Sequence, residues 1–265
     1  MPRLSSYIAT LCLSAAFQLE SAWAESGAGV TDEDLLLAGN RLIIKSRVRL
    51  ANEFTDLVDG ANFDKLILSG IYGFGFNGRD RNFALGFELP FLHNNPVAGD
   101  SAWGVGDLKL RAGQLFVDDP GGWRAGWYFD TEFDTAADDV RAIGNQRTQM
   151  VLGGGASHPV WDNVTLTATL QYGWSLDNGE TTGRKAEWET HLTASFKVSE
   201  CVALNLDYKA VINTVHDTTL FNTLEPSIGW TLGEKKNIGL FASLEWPLFD
   251  NGTNWIAKCG TVWFF

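Results

Sequence analysis

A chain of 265 residues with a net charge of -12 offers no basic face to nucleic acid, and a mean hydropathy of -0.06 is too low for a bundle of helices in lipid. Its length is enough for one large barrel-type domain. Hydrophobic residues make up 45%, and the 11 Trp and 17 Phe against 2 Met suit strands that are apolar on one side only.

The N-terminus reads as a secretory signal peptide over residues 1–24. Arg3 gives the positive start, Ile8 to Phe17 the short apolar run, and Ala22-Trp23-Ala24 a small-residue cleavage site, so the mature chain begins at Glu25. Arg3 and Glu20 leave together, and the net charge is kept. Cys12 lies inside the apolar run, where Leu11 spoils a lipoprotein box. Residues 25–38 form an N-terminal periplasmic segment. Thr31 and Asp34 suit the cap of a short helix through Leu35–Leu37; a tail or a plug entering the pore are equal alternatives. No later stretch has the roughly 18 uninterrupted apolar residues of a spanning helix.

Residues 39–265 break into about twelve segments of about ten residues, the length that a tilted membrane-spanning strand needs. They lie near 41–53, 64–76, 81–91, 104–116, 123–134, 146–158, 163–175, 186–198, 202–213, 222–232, 238–248 and 254–265. Short links such as Asn77-Gly78-Arg79-Asp80 and Trp161-Asp162-Asn163 alternate with longer ones, Thr55–Phe63, His93–Trp103, Thr135–Asn145, Ser175–Lys185 and Thr214–Phe221. Short periplasmic turns and longer external loops have this rhythm. Within segments, apolar and polar residues alternate. Val164, Leu166, Ala168, Leu170 and Tyr172 oppose Thr165, Thr167, Thr169 and Gln171. The final segment ends Trp263-Phe264-Phe265, an aromatic close similar to the last strand of outer-membrane barrels, which the assembly machinery reads. The expectation is an all-β fold, a closed antiparallel transmembrane β-barrel of about twelve strands in the bacterial outer membrane, because an open sheet cannot cross lipid with unpaired edges.

Parity then sends the charges inward, since a charge facing lipid costs about 2–4 kcal/mol at the midplane. Bases lead on the first, fourth and last segments, and acids on the fifth, eighth, tenth and eleventh. The expected constriction has Arg47, Arg49 and Arg111, with Lys109, facing Asp130, Glu132, Glu189 and Glu245, and Asp107 as an inward anchor where a loop meets the barrel. Walls of opposite sign suit the passage of small polar or amphiphilic solutes. The alternative is a lumen closed by ion pairs. Gln114 falls on the lipid side, which suggests a bulge in 104–116.

Glu88-Leu89-Pro90-Phe91, followed by Gly104-Val105-Gly106-Asp107-Leu108-Lys109-Leu110-Arg111, resembles the outer-membrane transporters of the MetA-pathway phenol-degradation family. The resemblance runs through most of the mature chain. It implies transport, with the lipid bilayer, the assembly machinery and a small-molecule solute as partners, and it carries over no catalytic residue.

A lipid-modifying enzyme of phospholipase or acyltransferase type needs a base beside a nucleophile at the rim. His93 with Asp100 and Ser101 is one candidate, and His216-Asp217 another; neither lies in a nucleophile motif. A structural or adhesive barrel is a third reading. No metal-ligand spacing or nucleotide fingerprint appears, so no cofactor is expected. Cys201, in a periplasmic turn, and Cys259, mid-strand on the lipid side, read as free thiols.

Overall fold

The computed structural model describes residues 46–76, 79–97, 99–119, 122–143, 147–176, 186–213, 220–232, 237–249 and 253–265. The signal peptide, the segment 25–38, residues 41–45 of the first expected strand and the His216-Asp217 pair lie outside them. The strands are β1 (Arg47–Leu57), β2 (Asn62–Phe76), β3 (Arg79–Asn95), β4 (Ala102–Val105), β5 (Lys109–Asp118), β6 (Arg124–Glu132), β7 (Gln149–Trp161), β8 (Val164–Ser175), β9 (Ala186–Lys197), β10 (Val202–Asn213), β11 (Leu220–Leu232), β12 (Ile238–Pro247) and β13 (Thr253–Phe264). Each pairs antiparallel with its neighbour, and β1 returns to β13 in register from Arg47↔Phe264 to Thr55↔Ile256. β4 and β5 both pair with β3 and share one position in the wall, so twelve strands close the barrel. Closure leaves no row of unpaired backbone groups to lipid. Among the described residues no helix is long and apolar enough to cross a membrane; the helical element there is a 3-10 turn, Asp138–Ile143.

The burial pattern is the inverse of a soluble protein. On β8, Leu166 and Leu170 are 47% and 51% exposed, while Thr167 and Gln171 are 5% and 6% exposed. Polar residues inside and leucines outside make sense only when the outer solvent is hydrocarbon. Exposed Trp123, Trp161 and Phe265 sit at the periplasmic strand ends, and Trp103, Trp188 and Trp246 at the outer ones, as interface aromatics do. The chain is therefore an outer-membrane barrel with the bilayer as its environment.

Three expectations are corrected. First, β1 continues to Leu57, past the expected end at 53, and the expected loop Thr55–Phe63 is a tight hairpin. Gly60 turns it with φ 86°, a conformation glycine adopts without strain; its N–H donates to the Leu57 carbonyl, and Ala61 N–H donates to Asp59 Oδ1. Second, β3 continues to Asn95 and pairs with β4, so both ends of the expected loop His93–Trp103 are strand. Third, the expected strand 104–116 is broken at residues 106–108. The ladder of β5 does carry a bulge, between Leu115 and Val117. It lies beyond Gln114, which stays outward and accepts a hydrogen bond from Trp127 Nε1 at 3.3 Å. The indole satisfies the amide where lipid cannot. Cys201 and Cys259 are both free and exposed.

Candidate functional site

Six neighbouring strands align two inward rows of side chains. One reads Phe264, Arg47, Ile71, Gly86, Arg111, Asp130; the next reads Val262, Arg49, Ser69, Glu88, Lys109, Glu132. Residues two apart on a strand share a face, so β1 and β5 each present two cations to the lumen. Arg47, Arg49, Lys109 and Arg111 line a recess of about 40 Å³ with Ser69, Ile71 and Glu88. Glu88, absent from the expected constriction, is the carboxylate around which Lys65, Lys109, Arg111 and Arg49 gather.

The cations are not equally committed. Arg111 Nε and Nη2 donate to the two oxygens of Asp130 at 2.8 and 2.9 Å, a fork-to-fork pair. Lys109 Nζ lies 3.1 Å from Glu132. Asp130 and Glu132 thus stand beside the basic wall and neutralise part of it, instead of facing it across the lumen. Arg49 is different. Its guanidinium carbon lies 4.6 Å from the ring centre of Phe241, and its Nε is buried with no hydrogen-bond partner in the protein. Phe241 packs on Val262 and Phe264 inside the barrel. Sequence reasoning passed over Phe241, although the alternation Phe241, Ser243, Glu245 places it inward.

The acidic wall lies on β9–β12. Glu245 accepts from Lys209 and Lys258 at 2.7 Å each, and Lys258 also donates to Glu225 at 2.7 Å. Each lysine reaches over one intervening strand, which only a long side chain in the lumen can do. His191 links Glu189 at 2.6 Å to Asp207 at 2.8 Å, and Thr193 donates to Asp207. Between the two walls, the inward residues of β7 and β8 are neutral. Tyr128 is fully buried, and its hydroxyl donates to Gln171 Oε1 at 2.9 Å. It lies flat on β7 at Gly153, where a Cβ would come within 2.3 Å of the ring.

Asp107 stands apart from the other eight expected residues. It is buried at the break between β4 and β5, and its Oδ1 accepts the N–H groups of Thr135 and Ala136 at 2.9 Å each. Leu108 N–H donates to Thr135 Oγ1. Asp107 ties the start of the segment 133–143 to the barrel rim. Val140 of that segment is fully buried under Gly104. His93 stacks on Trp103 at 3.9 Å between ring centres, and its Nδ1 lies 3.4 Å from Asp64. Among the described residues no side chains group as ligands for a metal.

Fold and lumen define a twelve-stranded outer-membrane barrel with its inward charge divided by sector. The chain belongs to the family described as "Putative MetA-pathway of phenol degradation", which matches residues 48–256. Among solved structures, an outer membrane channel from Pseudomonas putida F1 is similar at a TM-score of 0.67 and 16% identity, covering 84% of this chain and 97% of that one. The NanC porin is similar at 0.56 and 9% identity, and the KdgM porin at 0.53 and 10%, each covering 83% of this chain and 99% of the porin. At such identities the likeness is one of fold. No curated protein matches the chain in sequence.

Proposed function

We propose that this protein is a channel passing small polar or amphiphilic solutes through a narrow, charged lumen. The observation that carries the reading is the sectoring of inward charge. Arg47, Arg49, Lys109 and Arg111 crowd one wall, whereas Glu189, Asp207, Glu225 and Glu245 crowd another. Ion pairs within each sector leave an excess of cations on one wall and of carboxylates on the other, an excess that a lumen stitched shut by pairs alone does not need. Separated signs place a transverse field across the water path. Family membership and the channel and porin folds among the structural relatives support the same reading.

In this reading Arg47, Arg49, Lys109 and Arg111 form the basic side of the constriction, partly neutralised by the adjoining Asp130 and Glu132, and Glu189 and Glu245 stand on the acidic side. Asp107 holds the loop at the outer mouth. The barrel acts as a passage and not as an enzyme in this reading, which the channel and porin folds among its structural relatives support. Residues 1–24 direct export, residues 25–38 remain periplasmic ahead of the barrel domain 39–265, and the assembly machinery reads the strand ending at Phe265.

Reversal potentials in planar bilayers under a salt gradient test the proposal. Wild-type protein is expected to conduct weakly, and Arg47→Gln with Arg49→Gln to shift its preference toward cations, because local charge sets ion preference at a constriction. A wild type without conductance, together with a double variant altered only in stability, makes the charges structural and defeats the proposal.

A further inference from the structure

We infer that His191 sets the charge of the acidic wall: its imidazolium is held between Glu189 and Asp207, and release of a ring proton to lumen water turns the channel toward cations. The inference rests on the channel reading and names a residue that decides its ion preference. His191 Nε2 donates to Glu189 Oε1 at 2.6 Å, and Nδ1 donates to Asp207 Oδ2 at 2.8 Å. A neutral imidazole has one N–H and one lone pair, so it serves only one of two carboxylates. Two short contacts to carboxylate oxygens therefore require a proton on each ring nitrogen. The imidazole is also the strongest base of the three groups, which puts the proton they share on the ring. Ladder register adds a second reason. Asp207 lies directly opposite Glu225 on β11, and like charges so placed repel. Their offsets come from either side, His191 to Asp207 and Lys258 to Glu225.

The surroundings make His191 the adjustable member of this wall. Against it stand Glu189 on its own strand, Asp207 and Lys209 on β10, and the uncharged Thr169 on β8. Beyond β10 lie Glu225 and Glu245, held by Lys209 and Lys258. Among these groups the four carboxylates outnumber the two lysines by two, and a charged His191 halves that excess. Carboxylates and lysines keep their charge near neutral pH, whereas histidine changes its own there. The His191 side chain is 26% exposed, against 4% for Glu245 between its lysines, so its proton exchanges with lumen water. The other described histidines, His93 and His158, lie on the outer face, where their ladder partners include Trp103 and Leu166. When the proton leaves His191, the remaining N–H keeps one carboxylate, and the new lone pair releases the other into the water path.

The test uses the refolded mature protein in planar bilayers under a potassium chloride gradient. Reversal potentials are read from about pH 5.5 to about pH 9.5, the span between ordinary carboxylate and lysine titration. The cation-to-anion permeability ratio of the wild type is expected to rise roughly twofold across that span, the effect of one unit charge about 8 Å away through water. His191→Gln should hold the higher ratio at every pH, and His191→Lys the lower one. Heteronuclear NMR of the imidazole nitrogens, on the same preparation in detergent micelles, reads the ring itself, with His191 assigned by the signal lost in either variant. Both of its nitrogens are expected to carry protons at about pH 7. A singly protonated ring at that pH, or an equal pH response in wild type and folded His191→Gln, overturns the inference and leaves the channel. If neither variant refolds, a wild-type ratio that does not move with pH still overturns it. A doubly protonated ring in a protein that conducts nothing sinks the channel and leaves the imidazolium link.

Discussion

Arg111 and Asp130 face each other across the β5–β6 ladder and share two hydrogen bonds of 2.8 and 2.9 Å, with Asp130 almost fully buried. Removing only the carboxylate strands a guanidinium inside the barrel. Asp130→Ala is expected to lower stability by about 3 kcal/mol, whereas Arg111→Met with Asp130→Leu should recover most of the loss. Urea unfolding in lipid, followed by Trp fluorescence, reads both. A single variant as stable as the wild type would show that water already screens this pair.

Glu245 holds two lysines, so its neutralisation frees positive charge. Glu245→Gln should move ion preference toward anions, opposite in sign to the arginine variants. A shift in the same direction as theirs would mean that the two walls do not act on one water path.

Tyr128 occupies the lumen because Gly153 has no side chain. Gly153→Ala should displace the ring, break its bond to Gln171 and cost about 1–3 kcal/mol. Tyr128→Ala should instead widen this sector and raise single-channel conductance. Unchanged conductance in a folded Tyr128→Ala protein would place the narrowest point elsewhere.

Asp107→Ala removes the acceptor for Thr135 and Ala136 and should loosen the segment that begins there. Limited proteolysis of outward-facing protein in vesicles should cut between 133 and 148 at least several times faster than in the wild type, since local opening governs nicking. Equal cutting rates would assign the hold to Val140 and its neighbours.

The exposed indoles of Trp123, Trp188 and Trp246 should be quenched by lipids brominated near the headgroup more than by lipids brominated near the chain end. Single-Trp proteins with water-like emission and no lipid quenching would show the barrel to be wrongly registered in the bilayer.

By itself, the sequence determined the strands and their faces. A period of two is a local property, and lipid outside with polar groups inside enforces it on each strand, so Leu166 and Thr167 declare their sides without reference to the rest of the chain. Aromatics at strand ends and turn residues between them were legible for the same reason. Tertiary structure alone decided which inward residues meet. Ladder register sets Arg111 beside Asp130 and Lys109 beside Glu132, making neighbours of walls that parity alone set opposite each other. Register also brings Arg49 over Phe241, and sends Lys258 and Lys209 to one glutamate, contacts between residues far apart in the chain. Asp107 shows the same division. Its inward side was readable, but its task was set by where the chain leaves the barrel and returns at Thr135, which no local pattern encodes.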